Sequence, residues 1–187
     1  MAATQRKPPR KVTPAYLERA ALAYLERFAA SAESLRRVLL RKVDRSVRAH
    51  DTDRGEAAGW VEALIERYRR SGLLDDRAYA EARTASLRRQ GRSVRAIAEK
   101  LAQKGVGREV IDEALAPTKT PAEELGAAAR LARKRRIGPF RPSAQRTEHR
   151  ERDLAVLGRA GFPFDIARKV ILAESSDALD ALIGEAG

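Results

Sequence analysis

The stretch that decides the fold is "LAQKGVGREVIDEAL", residues 101–115, because the chain repeats its pattern at 157–171 as "LGRAGFPFDIARKVI". The matching positions, all separated by the same offset, are Leu101 with Leu157, Gly105 with Gly161, Val106 with Phe162 and Val110 with Ile166. The pattern predicts the end of one helix, a glycine turn and a short second helix. Two copies of it indicate that the chain is built from repeated modules.

A second correspondence lies upstream and also keeps a constant offset. It pairs Ser31, Leu35 and Leu39 with Ser93, Ile97 and Leu101. Apolar residues follow helical spacing throughout, and no segment alternates with the period of a strand. The sequence therefore predicts an all-α protein, an elongated and curved array of tandem three-helix repeats with about nine helices.

Composition shifts suggest the boundaries of these repeats. Residues 1–12 contain four basic side chains and no acid, which is typical of a disordered basic arm. Residues 174–187 contain four acidic side chains and no basic one, and form an acidic C-terminal tail. The predicted repeats between them span residues 13–74, 75–116 and 121–173. The first repeat departs from the others at "VDRSVRAHDTDRGE", residues 43–56, where a longer charged segment replaces the lysine–glycine turn.

The overall composition narrows the function classes. The 187 residues have a formal net charge of +12, which favours a polyanion or an acidic protein surface as partner. The absence of cysteine excludes disulfides and cysteine-based metal sites. No apolar run reaches the length of a membrane span or of a signal-peptide core, so a cytoplasmic protein without membrane contact is expected.

Asp75 and Asp76 are adjacent carboxylates in this basic chain, and they raise the question of a metal or acid–base pair. They follow "SGLL" and precede "RAYAEAR", which places them at the start of a helix, where a carboxylate accepts hydrogen bonds from unpaired backbone N–H groups. We therefore interpret them as structural caps, and a nuclease built on this pair stays an alternative. The full set of predicted caps and turns is Asp75, Asp76, Ser93, Gly105 and Gly161.

Two basic clusters stand out as candidate binding residues. The first surrounds the glycine at position 91, and the second closes the alanine-rich segment "ELGAAARLARKRR" at 124–136. A solvated helix face would explain any single arginine, but excess charge of one sign causes self-repulsion unless a partner uses it. The predicted binding residues are Arg88, Arg89, Arg92, Arg95, Lys100, Lys104, Arg130, Arg133, Lys134, Arg135 and Arg136. We expect both clusters to line one groove.

Several stretches together resemble the RecX family of recombinase regulators. They are "LRRVLLRKVDRS" (35–46), "GLLDDRAYA" (72–80), the serine-led helix that begins at Ser93, "LAQKGVGREVIDEAL" and "RAGFPFDIARKVI" (159–171). The resemblance covers about residues 15–173. It implies a bacterial cytoplasmic protein of tandem three-helix repeats that binds in the groove of the RecA–DNA filament. Such proteins restrain the strand exchange, ATPase and co-protease activities of RecA.

The expected function is therefore non-enzymatic: regulation of RecA in recombination, DNA repair and the SOS response. The expected partners are the RecA filament and DNA bound without sequence preference, and the expected state is a monomer. No cofactor, metal or catalytic residue is predicted, because no P-loop, zinc-protease or serine-hydrolase motif is present. A general DNA-binding protein or transcription regulator that acts independently of RecA remains the alternative.

Overall fold

The computed structural model describes residues 10–186, and all regular structure within them is helical. The all-α prediction is confirmed, with ten α-helices in this part of the chain where about nine were expected. The helices are α1 Pro14–Leu25, α2 Ala32–Ala49, α3 Arg54–Arg70, α4 Asp76–Arg89, α5 Val94–Gln103, α6 Arg108–Leu115, α7 Pro121–Arg135, α8 Ser143–Arg159, α9 Phe164–Leu172 and α10 Ser176–Glu185. Short 3-10 turns follow α6, at Ala116–Thr118, and α7, at Gly138–Phe140.

Most of the helices begin at side chains that cap them locally. Thr13, Ser31 and Thr120 each accept a hydrogen bond from the backbone N–H three residues later, at 3.1–3.2 Å. Asp53 does the same at 2.7 Å. Because the first N–H groups of a helix have no partner within it, such caps stabilise a helix start by about 1 kcal/mol each. These starts depend on near neighbours in sequence and could be predicted from it.

The chain forms two compact units. The first contains the described residues up to Tyr79 together with Lys104–Val106. Its core is made by α1, α2 and α3, with Leu35, Leu39, Val43 and Val61 all fully buried between them. The first three of these recur along α2 at intervals of four, which keeps them on one face of that helix.

The second unit contains Ala80–Gln103 and the described residues from Gly107 onward. Its largest apolar cluster lies where α7, α8, α9 and α10 pack together. Alanines at 127, 128, 129 and 132 are buried on α7, and their small side chains allow α9 to approach it closely. Leu157, Val170 and Leu179 close the cluster from α8, α9 and α10.

The two units divide the chain differently from the three predicted repeats. The helix α4 starts in the first unit and continues into the second, and the turn at 104–106 belongs to the first. The order of helices still follows the repeat pattern, since each predicted repeat contains three of the first nine helices. The boundaries of the repeats themselves stay a prediction.

The two ends of the chain contain more structure than the composition suggested. Residues 1–9 of the predicted basic arm lie outside the described residues, but Val12 is buried and its N–H donates to Ser46 Oγ at 3.0 Å. The predicted acidic tail contains the helix α10, whose Leu179 is fully buried. The reason in both cases is a single well-placed apolar side chain, which charge counting does not detect.

The segment 136–142 joins α7 to α8 and is held by a buried carboxylate. Asp153 on α8 is 1% exposed and accepts hydrogen bonds from Gly138 N at 3.0 Å and from Arg141 Nη2 at 2.9 Å. The pKa of Arg141 is raised by its hydrogen bond to Asp153. Arg146 donates to the carbonyl oxygen of Pro139 and so closes the turn.

Candidate binding surface

The glycine turn after α4 is the centre of the first predicted basic cluster. Gly91 has a φ of +76°, and its N–H donates to Arg88 O at 2.9 Å while Arg92 N–H donates to Leu87 O at 3.1 Å. This is the hydrogen-bond pattern of a helix that ends in a left-handed residue. A Cβ atom at Gly91 would lie 2.9 Å from the backbone nitrogen of Leu131. Glycine is therefore required by the backbone conformation and by the contact with α7.

This contact brings residues of the two basic clusters together. Arg130 on α7 donates from Nε to the carbonyl oxygen of Arg88 at 3.3 Å, where α4 ends. Arg89 and Arg92 are exposed on either side of that turn. Lys134 is exposed one helical turn beyond Arg130, on the same face of α7. We call Arg89, Arg92, Arg130 and Lys134 the basic turn surface.

Arg88 is the one predicted binding residue that the structure places in the interior. It is 4% exposed, and its Nη1 donates to Glu124 Oε2 at 2.7 Å and to Arg92 O at 3.0 Å. A guanidinium in that position cannot reach a partner, so the prediction that Arg88 binds one is wrong. It fails because Glu124, 36 residues further along the chain, holds the arginine inside.

The remaining predicted binding residues differ in how far other groups neutralise them. Arg95 pairs with Glu99 at 3.1 Å, and Arg133 lies 3.9 Å from Asp180 and over the ring of Phe140. The other predicted side chains are all exposed, but they do not form one group. Lys100 lies on α5, Lys104 belongs to the first unit, Arg135 faces a different side of α7 from Arg130, and Arg136 ends α7 with a φ of 54°.

The basic turn surface has a chemistry suited to phosphates or carboxylates. Within residues 10–186, Arg89, Arg92 and Lys134 form no ion pair, and Arg130 contacts only a carbonyl oxygen through Nε. A guanidinium group is planar and can donate two parallel hydrogen bonds to one carboxylate or phosphate group. The geometry of this surface therefore permits several contacts to an anionic partner without first breaking an internal ion pair.

Asp75 and Asp76 both accept backbone hydrogen bonds, but they serve different helices. Asp75 Oδ1 accepts from Arg77 N at 2.9 Å and from Ala78 N at 3.0 Å, and so caps its own helix α4. Asp76 Oδ1 instead accepts from Ala32 N at 2.8 Å, at the start of α2. Both carboxylates are thus engaged by backbone N–H groups, as a cap requires. Among residues 10–186, no group of three or more His, Cys, Asp or Glu side chains is arranged to hold a metal ion.

Ser93, Gly105 and Gly161 belong to two similar junctions. Ser93 Oγ accepts from Ala96 N at 3.1 Å and donates to Ala160 O at 2.8 Å, directly before Gly161. Ser31 Oγ likewise donates to Lys104 O, directly before Gly105. The two glycines have φ values of +74° and +87°.

Sequence reasoning did not identify the role of Glu124. Its carboxylate accepts a hydrogen bond from Val94 N at 3.3 Å in addition to its contact with Arg88. Only its position in the first turn of a helix is visible in the sequence, and many surface glutamates share that position.

The described part of the chain also contains no helix with the length and apolar character needed to cross a membrane.

These features define a class: a helical protein of repeated three-helix modules with an exposed basic surface and internal caps at the module junctions. A family model described as the second three-helix domain of RecX matches residues 75–115, which correspond to α4–α6. No solved structure matches the chain.

Curated relatives extend this match over most of the chain and show that it belongs to the RecX family. The chain is 55% identical over 166 residues to the "Regulatory protein RecX" of Myxococcus xanthus, covering 88% of this chain and 89% of that protein. It is 33% identical over 151 residues to the protein of the same name from Halorhodospira halophila, covering 81% and 86%. A further relative of that name, from Agrobacterium fabrum, is 39% identical over 109 residues, 58% of this chain and 57% of that one.

Proposed function

We propose that this protein binds the RecA–DNA filament through the basic turn surface and inhibits the recombinase, ATPase and co-protease activities of RecA. Membership of a family of regulatory proteins supports this proposal at the level of class. The observation that carries the site is the convergence of Arg89, Arg92 and Arg130 on one exposed turn. In this role the protein regulates DNA repair, homologous recombination and the SOS response as a cytoplasmic, monomeric, non-enzymatic factor.

The charge of this surface supports an anionic partner over an apolar one. The four side chains of the basic turn surface are all cationic, and none is paired with a carboxylate in the described part of the chain. Holding like charges together costs repulsion that an anionic partner removes. A RecA–DNA filament offers phosphates and can also offer acidic protein side chains. Both kinds of contact fit arginine and lysine donors.

The rate of ATP hydrolysis by RecA on single-stranded DNA tests this proposal. Increasing amounts of the parent protein should slow the reaction, and the parent should hydrolyse no ATP itself. The double variant Arg92→Gln/Lys134→Gln should need roughly tenfold more protein for the same inhibition, which corresponds to about 1.4 kcal/mol of lost binding. Arg70→Gln is the control, because Arg70 is exposed in the other unit and pairs with Glu66.

Two outcomes would contradict the proposal. An unchanged RecA rate at several-fold excess of the parent would remove RecA inhibition as the function. Equal inhibition by the parent and the double variant would remove the basic turn surface as the site. If additional single-stranded DNA fully restores the RecA rate, inhibition arises from competition for DNA, as expected of a general DNA-binding protein that acts without RecA.

A further inference from the structure

The helix α2 in the first unit has two groups of arginines with different surroundings. In its first half, Arg36 Nη1 lies 2.6 Å from Glu33 Oε2 and Arg37 Nε lies 2.7 Å from Glu33 Oε1. Arg36 also pairs with Glu62 at 2.9 Å. The hydrogen bond from Arg36 holds the pKa of Glu33 below its ordinary value. The positive charge of this half is therefore neutralised within the protein.

The second half of α2 has no comparable neutralisation in the described part of the chain. Arg41, Arg45 and Arg48 follow the spacing i, i+4, i+7, so they form a stripe on one face of the helix, and all three are exposed. The nearest carboxylate along the helix is Asp44, which pairs with Arg54 at the start of α3 at 3.0 Å. Arg45 Nε donates to the carbonyl oxygen of Arg41 at 3.2 Å, which leaves its terminal nitrogens to other partners.

These side chains line a groove of about 570 Å³. Its lining residues are Arg41, Asp44, Arg45, Val47, Arg48 and Arg54. Four arginines against one aspartate make the groove strongly positive, and Val47 is its single apolar member. Arginine also occurs often in protein interfaces, but there it usually surrounds aromatic or large apolar anchors, and none of the described residues that line this groove is of that kind. The composition of this groove therefore fits a row of phosphates better than a folded protein surface.

From this arrangement we propose that the arginine groove of the first unit binds the phosphodiester backbone of nucleic acid. The stripe from Arg41 to Arg48 spans about 10 Å along the helix, at 1.5 Å per residue. Guanidinium groups bind phosphate oxygens in pairs, which makes arginine better suited to this role than lysine.

The N-terminal segment adds further positive charge beside the same helix. Val12 N–H donates to the buried Ser46 Oγ at 3.0 Å, so the chain enters the first unit alongside α2. Arg10 and Lys11 are exposed immediately before that anchor point. Because contacts to phosphate oxygens do not depend on the base, the expected binding is independent of base sequence.

Binding of a fluorescein-labelled oligo-dT to the protein alone, measured by anisotropy over a range of NaCl concentrations, tests this inference. The groove variant is Arg41→Gln/Arg45→Gln/Arg48→Gln. For single strands, log K falls with log[salt] with a slope of about −0.7 for each phosphate contact. Loss of three contacts should therefore make the slope shallower by about 2 and lower the affinity at low salt.

A matched control removes three charges from the same unit outside the groove. Arg37, Arg67 and Arg70 are exposed and pair with Glu33, Glu18 and Glu66. The variant Arg37→Gln/Arg67→Gln/Arg70→Gln therefore has the same net charge as the groove variant, and its slope should stay close to that of the parent. Equal slopes for both triple variants would show that only net charge matters and would overturn the assignment.

Two further results would also overturn it. One is a parent protein that does not bind oligo-dT. The other is a groove variant that binds oligo-dT like the parent but binds the RecA–DNA filament more weakly, which would make the groove a contact for protein. Circular dichroism and urea unfolding check that the variants stay folded, as expected for exposed charges. Because the DNA measurement contains no RecA, failure of the RecA proposal would leave this result unaffected.

Discussion

The N-terminus of α2 in the first unit and the N-terminus of α5 in the second are built from equivalent parts. Ser31 and Ser93, which occupy matching positions of the sequence repeat, each cap their helix with Oγ. Each also donates from Oγ to a carbonyl oxygen directly before a glycine turn, at Lys104 in one unit and Ala160 in the other. The sequence repeats both the serine and the glycine turn. In each unit the serine donates the hydrogen bond, and the residue before the glycine accepts it.

A carboxylate from a later helix completes each junction. Ala32 N donates to Asp76 Oδ1 at 2.8 Å, and Val94 N donates to Glu124 at 3.3 Å. Both carboxylates lie in the first turn of their own helices, α4 and α7. Asp76 in the first unit therefore corresponds to Glu124 in the second.

The two junctions differ in the arginine that meets the carboxylate. Arg69 lies 3.3 Å from Asp76 and its side chain is 52% exposed, whereas Arg88 lies 2.7 Å from Glu124 and its side chain is 5% exposed. The pair in the first unit contributes little, because water solvates the exposed Arg69 when its partner is removed. A buried pair cannot lose one partner without leaving an unsolvated charge. The two junctions thus have equivalent backbone hydrogen bonds, but the stability of the second unit should depend much more on its ion pair than the stability of the first.

The largest expected effect is at the buried junction. Glu124→Ala should destabilise the protein by about 3–5 kcal/mol, because Arg88 would stay buried without the carboxylate 2.7 Å from it, and the exposed Glu123 carboxylate, 3.7 Å away, replaces that contact poorly. Asp76→Ala, the matched change in the first unit, should cost about 0.5–2 kcal/mol, the usual value of a lost cap. Urea unfolding of both variants measures the difference, and equal losses would contradict it.

A companion variant separates charge from hydrogen bonding at the same position. Glu124→Gln keeps an oxygen that can accept from Val94 N but removes the charge that faces Arg88. It should therefore lose nearly as much stability as Glu124→Ala. If Glu124→Gln is as stable as the parent, the hydrogen bond to Val94 N stabilises the protein and the ion pair with Arg88 contributes nothing.

An intermediate effect is expected at the two adjacent aspartates. Asp75→Asn should retain stability and function, because asparagine caps a helix about as well as aspartate. Asp75→Ala should lose about 0.5–2 kcal/mol, through the hydrogen bonds to Arg77 N and Ala78 N. Melting temperature and inhibition of RecA should be compared for both variants. Loss of activity in Asp75→Asn at unchanged stability would support the nuclease alternative, and divalent-metal-dependent cleavage of DNA should then be measured.

The smallest expected effect is on the pH dependence of stability, and it arises at Glu33. The matching position in the later copy of the repeat is Arg95, so this effect is expected in the first unit. The pKa of Glu33 is lowered in the folded protein, chiefly by the hydrogen bond from Arg36. Its contribution to stability is therefore present above the ordinary pKa of 4.5 and is lost as the pH falls through the lower folded value. Acid unfolding should show a weaker loss of stability below pH 4.5 in Glu33→Gln than in the parent.

The control for this effect is Glu99→Gln, which removes the carboxylate that pairs with Arg95 in the second unit. The two glycine turns also have neighbours of opposite charge, since Glu33 lies against Gly105 and Arg95 lies against Gly161. If both glutamine variants change the acid unfolding profile equally, Glu33 has no special role in it.

Much of the helical architecture could be predicted from short-range patterns. The caps at Thr13, Ser31, Asp53 and Thr120 bond to a backbone N–H three residues away, so sequence spacing is enough to find them. The glycine turns at 105 and 161 could be identified because a left-handed residue after an apolar helix favours glycine. The all-α class and the family resemblance rest on such local signals and their order.

The placement of charge could not be predicted in the same way. Arg88 and Arg89 are neighbours in sequence, yet one is buried and the other exposed, and Glu124 decides which. Asp76 caps a helix that begins 44 residues earlier. The arginine groove on α2 is visible in sequence only as a spacing of i, i+4, i+7, which arginines on many solvated helix faces share.

The sequence by itself therefore determined where most of the helices of this protein begin, because hydrogen bonds between near neighbours control these starts. Only the tertiary structure decided which arginines are available to a partner. The charge of an arginine stays exposed or becomes buried according to whether packing brings a carboxylate to it, and that carboxylate comes from a distant part of the chain. Arg88 beside Glu124, and Arg36 beside Glu62, are removed from the binding surfaces in this way, while Arg92 and Arg48 are not.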